Sequence, residues 1–249
     1  MATWITHLRL AEELLKYIPE FEPASFAIGN IAPDSGIPDE KWENFTPPPQ
    51  VTHFYAKDGS KMLADLDFYR QFLTAPGLSA DLQRASFLWG YFFHLVTDNL
   101  WYMQVDQPTR QRYADQFAVD RDFIWEVKRD WYGLDYLYTQ EHPDSLYWRV
   151  FLGCTVSDSY LDFLPVEALR QRVEFIQARY QKDYPGVEEA YRRPYMYLSQ
   201  SEMDGFVERA SAFLYRAHCN LLKMEIQASE NCITVLALWP GDTPSTERP

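Results

Sequence analysis

The amino-acid sequence predicts an all-α fold, and three observations lead to that prediction. Apolar residues recur at spacings of three and four along most of the 249-residue chain, which is the period of an amphipathic helix. Few segments alternate apolar and polar residues, as half-buried strands do. With 47% hydrophobic residues, the chain can bury one sizeable core or two small ones. One domain is the simpler interpretation, so we expect a single helical domain over 1–239 and a disordered, proline-rich tail over 240–249.

The first predicted helix runs from Trp4 to Ile18, and Pro19 ends it. His7 lies on the same apolar stripe as Ala11 and Leu14, so we expect this histidine to point inward. Taken alone, packing or an ordinary hydrogen bond explains such a histidine better than metal binding does.

The segment from Phe21 to Thr52 is rich in proline and shows no helical period, so we expect a long connection with ordered turns. Loops of this length inside a compact domain are usually functional. Asp34 follows an apolar stretch of this segment, and His53 comes directly after it. Taken alone, Asp34 fits a turn or a helix N-cap, and His53 fits a loop histidine.

Further helices are predicted from the same periodicity over the rest of the chain. They span about 61–73, 82–101, 110–118, 121–132, 146–156, 166–180 and 202–228. The apolar run 233–239 is too isolated to found a sheet.

The helix predicted over 82–101 contains His94 and Asp98. Residues four apart lie on one face of a helix, so this imidazole and carboxylate point the same way and form half of a metal site. Gly90, one turn earlier, leaves room for an ion or for another segment. A hydrogen bond between His94 and Asp98 would also satisfy both groups without metal, and the spacing alone occurs by chance in many chains.

Taken together, these features resemble the bacterial zinc-dependent phospholipase C family, which is related more distantly to the S1/P1 nucleases. The resemblance covers about residues 1–105. It depends on four features in order: His7 in the first helix, Pro33-Asp34 after an apolar run, Thr52-His53, and the segment 90–98 with His94 and Asp98. The family's fold is an all-α helical bundle, in agreement with the periodicity.

The resemblance also implies metal ligands. One zinc ion would be bound by four residues: Asp34, His53, His94 and Asp98. Asp98 would bridge to a second zinc ion, which His7 would also bind. These ligand types suit zinc as well as manganese or iron, so we expect one to three ions, with zinc as the first choice. Asp34 would steady or deprotonate a metal-activated water if one of its oxygens stays free.

The chain departs from the family pattern in two places. Trp4 is internal, so the free amino terminus of a mature tryptophan cannot be carried over as a ligand. The third zinc site lacks its HxxxE pair and has Gln104 near the position of its other histidine. Two acidic pairs could rebuild this site: Asp130 with Asp135, and Asp158 with Asp162. Helix capping or an ordinary surface position explains both pairs better than metal binding does. We expect His218, which has no acidic residue four positions away, to be structural.

The charge balance limits the possible partners. With 23 basic and 36 acidic residues, the formal net charge is −13, which disfavours extended nucleic acids but not a small phosphorylated substrate at a metal. No export signal is visible and no apolar run approaches the roughly 20 residues of a transmembrane helix. Three widely spaced cysteines fit reduced thiols. We expect a soluble, cytoplasmic protein.

The predicted function is a metal-dependent hydrolase of phosphodiesters or phosphorylated small molecules, with a phospholipase-C-like reaction on a phospholipid-like substrate as the named example. Four aromatic residues near the ligand segments would line an apolar pocket, although core packing explains them equally well: Trp42, Phe45, Phe54 and Tyr55. Two alternatives stay open. One is a nuclease or phosphatase on the same metal frame, and the other is a non-catalytic metal-binding interaction protein.

Overall fold

Helices dominate the computed structural model, which describes residues 1–41, 43–57, 59–223 and 232–238. The α-helices in these residues are α1 (Trp4–Tyr17), α2 (Pro23–Gly29), α3 (Pro49–Thr52), α4 (Asp65–Phe68), α5 (Leu82–Trp101), α6 (Gln107–Arg112), α7 (Ala114–Val119), α8 (Phe123–Glu141), α9 (Leu146–Arg149), α10 (Val166–Arg179), α11 (Val187–Arg192) and α12 (Gln200–Lys223).

Shorter elements fill several connections. There are 3-10 turns at Ala32–Asp34, Leu78–Ala80, Phe151–Gly153 and Val235–Ala237, and π-helical turns at Tyr69–Leu73 and Tyr102–Asp106. Two-residue strands β1 (Ile37–Pro38) and β2 (Phe45–Thr46) pair antiparallel, with Ile37 opposite Thr46. Because this ribbon is the only sheet in the described residues, the prediction of an all-α fold is confirmed.

Helix α5 lies at the centre of the core. Asp81 caps its N-terminus by accepting a hydrogen bond from the backbone N–H of Arg84 at 3.0 Å, which satisfies one of the unpaired donors of the first turn. Every residue from 86 to 101 is buried, because α1, α2, α4 and α12 pack around it. A helix that is buried on all sides must be apolar all round, so its few polar side chains need partners inside the core.

Helices α1 and α2 cover α5 on the side where those polar groups lie. Helix α1 buries an apolar stripe that includes Ile5, Leu8 and Leu14. The carboxylate of Glu22 caps α2 by accepting hydrogen bonds from two backbone N–H groups, and Pro23 occupies the first helical position, where its missing N–H costs nothing.

Several predicted helix bounds were wrong. The helix predicted over 61–73 begins only at Asp65. The one predicted over 110–118 is broken at Tyr113 into α6 and α7, and the one predicted over 121–132 continues to Glu141. The helix predicted over 146–156 ends at Arg149, so a 3-10 turn and extended chain follow it.

Three short helices had no counterpart in the predictions. The connection over 21–52 contains α2 and α3, and the segment after α10 contains α11. They have four to seven residues each, which is too short for a helical period to show in the sequence. The predicted helix over 202–228 is observed to residue 223, and its last residues, like the tail 240–249, lie outside the described residues.

No helix among the described residues combines the length and the apolar character needed to cross a membrane. All three cysteines are free thiols: Cys154, Cys219 and Cys232.

Candidate metal centre

The fold brings together all five residues that the sequence predicted as metal ligands. We call them the His/Asp cluster: His7 from α1, Asp34 at the end of the 3-10 turn 32–34, His53 directly after α3, and His94 and Asp98 from α5. The three histidines and Asp98 are buried, and the side chain of Asp34 is 12% exposed.

The separations within the cluster are longer than ordinary hydrogen bonds. The Asp98 carboxylate lies 3.5 Å from His94 Nε2, 3.8 Å from His53 Nε2 and 3.6 Å from His7 Nε2, whereas N–H···O bonds centre near 2.9 Å. Asp34 Oδ1 lies 3.2 Å from His53 Nε2. Two ligands bound to one zinc ion at about 2.0–2.1 Å in tetrahedral geometry are about 3.4 Å apart. The spacing therefore fits ligands that surround an ion.

The facing atoms also lack hydrogen-bond partners. His7 Nε2, His53 Nε2, His94 Nε2 and Asp98 Oδ2 are buried and unpaired. Leaving a buried polar atom unpaired costs about 1–3 kcal/mol, so several such atoms in one place need a common partner. A hydrogen bond between His94 and Asp98, the metal-free alternative, does not form in this geometry. Nitrogen and carboxylate donors at this spacing fit a divalent cation such as zinc, manganese or iron.

The far sides of two imidazoles are held by the protein. His94 Nδ1 lies 2.8 Å from the carbonyl oxygen of Asn30. Because a carbonyl only accepts, Nδ1 carries the hydrogen in this contact, and the neutral ring presents a lone pair on Nε2 toward the cluster. His53 Nδ1 lies 3.1 Å from the hydroxyl of Thr52. Both Nε2 atoms are in this way aimed at the same point.

The carboxylates are oriented in the same manner. The indole N–H of Trp4 donates to Asp34 Oδ2 at 2.8 Å, and the backbone N–H of Ala2 donates to Asp98 Oδ1 at 2.7 Å. Asp34 Oδ1 faces His53, and Asp98 Oδ2 faces His53 and His94. Asp98 Oδ1 also lies 3.6 Å from His7 Nε2. Asp34 Oδ2, the oxygen expected to stay free for a water molecule, is occupied by this indole donor.

The electrostatics of the cluster favour a bound cation. Burial raises the pKa of Asp98, but the amino group of Met1 and the His94 imidazole lower it by more, so the pKa lies well below its usual range. Burial likewise raises the pKa of Asp34, and contact with His53 reverses that effect, which leaves this pKa well below its usual range too. Both carboxylates are therefore ionised at neutral pH.

His7 stacks on His94, with ring centroids 3.8 Å apart and ring planes 6° from parallel. Burial and the neighbouring His94 lower the pKa of His7 to about 4, so its imidazole is neutral and able to bind metal. Among the described residues, two overlapping groups of ligand atoms lie close enough to hold an ion: His7 with His94 and Asp98, and Asp34 with His53 and His94. Both groups share His94.

A cavity of about 300 Å³ leads from the surface to the His/Asp cluster. We call it the cluster cavity. Asp34 and His53 form part of its wall, and aromatic and cationic side chains form much of the rest: Trp4, Phe45, Trp125, Lys128, Trp131, Tyr132 and Arg172. A larger cavity of about 550 Å³ is lined by no residue of the cluster. The cluster cavity therefore gives a small molecule access to the cluster past Asp34 and His53.

The aromatic prediction is only partly met. Phe45 lines the cluster cavity, whereas Phe54 packs edge-on against Phe68 and Phe163 in the core. Tyr55 is 45% exposed and does not line this cavity, and Trp42 lies outside the described residues.

The acidic pairs proposed to rebuild a third site have other partners. Asp135 accepts hydrogen bonds from the hydroxyls of Thr3 (2.5 Å) and Tyr180 (2.7 Å). Asp130 accepts one from the backbone N–H of Tyr197 at 2.6 Å. Neither carboxylate belongs to a ligand group among the described residues.

The second pair, Asp158 and Asp162, does not share a helix face, because the chain is not helical there. Asp158 accepts a hydrogen bond from the backbone N–H of Tyr160, as in a turn. Asp162 is exposed. His218 packs edge-on against Trp89 at 4.5 Å, as expected for a structural histidine.

The sequence interpretation missed Trp4, Asn30, Lys128 and Arg172. Trp4 was discussed only as an internal residue that cannot supply a ligand through a free amino terminus, although its position three residues before His7 places its side chain within one helical turn of a ligand. Asn30 is a polar residue in an apolar run, which was the available signal for a buried role. Lys128 and Arg172 carried no signal, because cations are ordinary on amphipathic helices.

No family model matches the chain, and neither a curated protein nor a solved structure matches it. What the fold and the site define is a class: a mostly helical protein with a buried histidine and aspartate cluster able to hold a metal ion. The identity of the metal and the phospholipase C resemblance stay predictions.

Proposed function

We propose that the chain is a metal-dependent hydrolase of phosphate esters, with zinc as the expected metal and a phospholipase-C-like reaction. The observation that carries the proposal is the convergence of unpaired, buried nitrogen and oxygen atoms beside an open cavity. Structural zinc sites are closed by four protein ligands, whereas catalytic sites keep a position open to water or substrate. The cavity past Asp34 and His53 would let water or a substrate reach the ion as an additional ligand, which favours the catalytic type over a purely structural one.

The residues of the His/Asp cluster would have different roles in such a reaction. His53, His94 and Asp98 would hold the ion, with His7 placed for a second ion through Asp98. A bound divalent cation supplies Lewis acidity, which acidifies water and stabilises negative charge on a phosphoryl oxygen. Asp34 would bind through Oδ1 while Trp4 fixes Oδ2. The lowered pKa of Asp34 makes it a weak base, so orientation of the ion and the water suits it better than proton abstraction.

The cavity also bears on the type of substrate. A volume of about 300 Å³ is at the lower end for small-molecule sites. With a net charge of −13, the average field of the protein repels a long polyanion. Both facts favour a small phosphorylated molecule over a nucleic acid.

The test begins with the metal content of purified protein after incubation with zinc and gel filtration. We expect at least one zinc ion per wild-type chain and loss of that ion in His94→Ala. His142→Ala is the matched control, because His142 is exposed and stacks only on Tyr138 outside the cluster. Zinc-loaded wild type should hydrolyse p-nitrophenyl phosphate or bis(p-nitrophenyl) phosphate, and His94→Ala should not. A full complement of zinc without hydrolysis of any phosphate ester would favour the non-catalytic metal-binding alternative.

A further inference from the structure

Two cationic side chains line the cluster cavity together with Asp34 and His53. Lys128 lies on α8 and Arg172 on α10, so two helices far apart in the sequence each place a cationic side chain in the wall of this cavity. The chain has 23 basic residues for 36 acidic ones, so a local excess of positive charge runs against the average charge of the protein. Two cations in one cavity beside a metal cluster therefore need an explanation.

Neither cation has a carboxylate partner in the described part of the chain. The lysine and arginine ion pairs found there involve other residues. Lys128 Nζ contacts the Trp125 ring, 5.0 Å from its centroid. Burial lowers the pKa of Lys128 while the charge of Asp34 raises it, so the ammonium group is partly desolvated and feels the charge of the cluster.

Arg172 is held in place but keeps unused donors. Its guanidinium lies over the Trp4 ring, 5.3 Å from the centroid, and one Nη donates to the carbonyl of Gly36 at 3.3 Å. Its Nε is buried and has no hydrogen-bond partner. Because Trp4 also donates to Asp34, the guanidinium is fixed relative to the cluster. An arginine has five N–H donors and prefers planar or tetrahedral oxyanions such as carboxylate and phosphate.

The formal charges around the cavity can be added up for a cluster that holds one divalent cation. Asp34 and Asp98 contribute two negative charges, which one divalent cation would neutralise. Lys128 and Arg172 then leave a surplus of at least two positive charges, and the amino group of Met1, which also lines the cavity, adds to it. The cavity is partly desolvated, so these charges interact more strongly than in water. A phosphate monoester carries close to two negative charges at neutral pH, whereas a phosphodiester carries one.

We propose that Lys128 and Arg172 form an anion-binding subsite that selects substrates with a doubly charged phosphate group, that is, phosphate monoesters of small molecules. The proposal rests on the proposed metal-dependent phosphate-ester hydrolase and narrows its substrates to monoesters, in place of the phospholipase-C-like cleavage of a diester. The aromatic walls at Phe45, Trp125 and Tyr132 would contact the organic part of the ester. A head group with a positive charge would be disfavoured in the same space.

The first test measures binding of inorganic phosphate to zinc-loaded protein by isothermal titration calorimetry at pH 7.5. We expect Lys128→Met and Arg172→Met each to weaken phosphate binding about 10-fold or more, since hydrogen bonds between charged groups are the strong ones. Lys182→Met and Arg170→Met are the matched controls. Lys182 is exposed, and Arg170 lies on α10 but pairs with Glu167 at the surface. Both controls should bind phosphate like the wild type.

The second test compares hydrolysis of p-nitrophenyl phosphate and bis(p-nitrophenyl) phosphate. Lys128→Met should lower kcat/KM for the monoester about 10-fold, chiefly through KM, and lower it about 3-fold or less for the diester. Zinc content and thermal unfolding are measured for each variant, because Arg172 packs on Trp4 and its loss could disturb the fold. Arg172→Lys keeps the charge and should recover part of the phosphate affinity.

The outcomes separate the two proposals. Unchanged phosphate affinity in Lys128→Met with normal zinc content would overturn the subsite, whether or not the protein hydrolyses esters. Weakened phosphate binding in both variants, in a wild-type protein that hydrolyses neither ester, would keep the subsite and refute the hydrolase. A wild-type protein with a higher kcat/KM for the diester than for the monoester would refute the selection of monoesters.

Discussion

Four of the five predicted ligands of the His/Asp cluster, all except His7, have a second hydrogen-bond contact that fixes their direction. The carbonyl of Asn30 holds His94, the Thr52 hydroxyl holds His53, and the Trp4 indole holds Asp34. Such outer contacts set the tautomer and the orientation of a ligand, and losing one typically costs 10–100-fold in metal affinity. They also explain why these buried polar groups are tolerated in an apolar core.

Trp4→Phe isolates one of these contacts. The substitution removes the indole N–H that donates to Asp34 Oδ2 at 2.8 Å and keeps an aromatic ring next to Phe175. We expect zinc affinity to fall about 10-fold, while the free energy of unfolding of the metal-free protein changes by about 1 kcal/mol. Competition with a chromophoric chelator measures the affinity. Trp125→Phe, in the same cavity but 59% exposed, should bind zinc like the wild type, and equal affinities in all three proteins would contradict the role of Trp4.

His218 makes stability depend on pH. Burial among Trp89 and other rings lowers its pKa to about 4, whereas an unfolded histidine titrates near 6.5. Between these values the unfolded chain binds more protons, so His218 reduces stability as the pH falls from about 6.5 toward about 4. From pH 7 to pH 5 the wild type should lose about 2 kcal/mol more than His218→Leu. Urea unfolding at both pH values measures this difference, and parallel losses in the two proteins would refute it.

Sequence reasoning found the ligands at this scale for a physical reason. His94 and Asp98 stand out because charged groups in an apolar helix must have strong partners. Trp4 and Arg172 do not stand out, because a tryptophan or an arginine on an amphipathic helix needs no explanation. Their contacts with Asp34 and Gly36 join residues far apart in the sequence, and only the fold reveals them.

At the scale of elements, the site depends on the close approach of α2 to α5. A Cβ atom on Gly90 would lie 2.4 Å from the carbonyl oxygen of Phe26, and one on Gly29 would lie 2.1 Å from that of Phe87. Two glycines therefore let the helices touch backbone to backbone. This contact places the Asn30 carbonyl against His94, so the space left by Gly90 is filled by another segment.

Gly90→Ala should consequently damage both the fold and the metal centre. Alanine is favoured over glycine in a helix by about 1 kcal/mol, but the clash with backbone atoms of α2 forces the helices apart. We expect a net loss of about 2 kcal/mol in the free energy of unfolding and weaker zinc binding, because Asn30 moves away from His94. Gly153→Ala is the control, since no atom lies within 4 Å of its added Cβ, and its stability should change by about 0.5 kcal/mol or less. Chemical unfolding and zinc titration of both variants test this.

The bounds of a helix were predicted correctly when the helix was long and its ends carried clear sequence signals. The bounds of α5 were predicted to the residue because 20 residues of mostly apolar character and an N-cap aspartate define them. Helix α2 was missed because it has only seven residues, of which the first is a proline and the last a glycine. Helix α8 was cut short near Gly133, whose missing side chain serves packing instead: an added Cβ would lie 2.6 Å from the carbonyl oxygen of Ala190.

At the scale of the whole molecule, the His/Asp cluster lies inside an apolar core. The core includes buried residues of α1, α2, α5 and α12. The metal ligands, and the contacts that orient them, come from α1, α2 and α5, from the 3-10 turn 32–34 and from the end of α3. A charged cluster inside such a core opposes folding unless it is neutralised. Metal binding and folding should therefore be coupled.

This coupling predicts how the thermal stability responds to zinc and pH. Zinc at 100 times its dissociation constant stabilises a protein by about 2.7 kcal/mol, which corresponds to about 5–10 °C in Tm for a chain of this length. We expect this increase in the wild type at pH 7.5 relative to protein treated with EDTA, and no increase in His94→Ala. Calorimetric scans of both proteins with and without zinc measure it.

The increase in Tm at a fixed zinc concentration should shrink as the pH is lowered. Burial lowers the pKa of His94, but the charges of Asp98 and Asp34 raise it by more. A proton therefore competes with the metal for Nε2 at a higher pH than at an ordinary histidine, and lowering the pH weakens zinc binding. Scans at pH 7.5 and pH 5.5 should show a clearly smaller zinc effect at the lower pH, and an effect of equal size at both would mean that His94 is not a ligand.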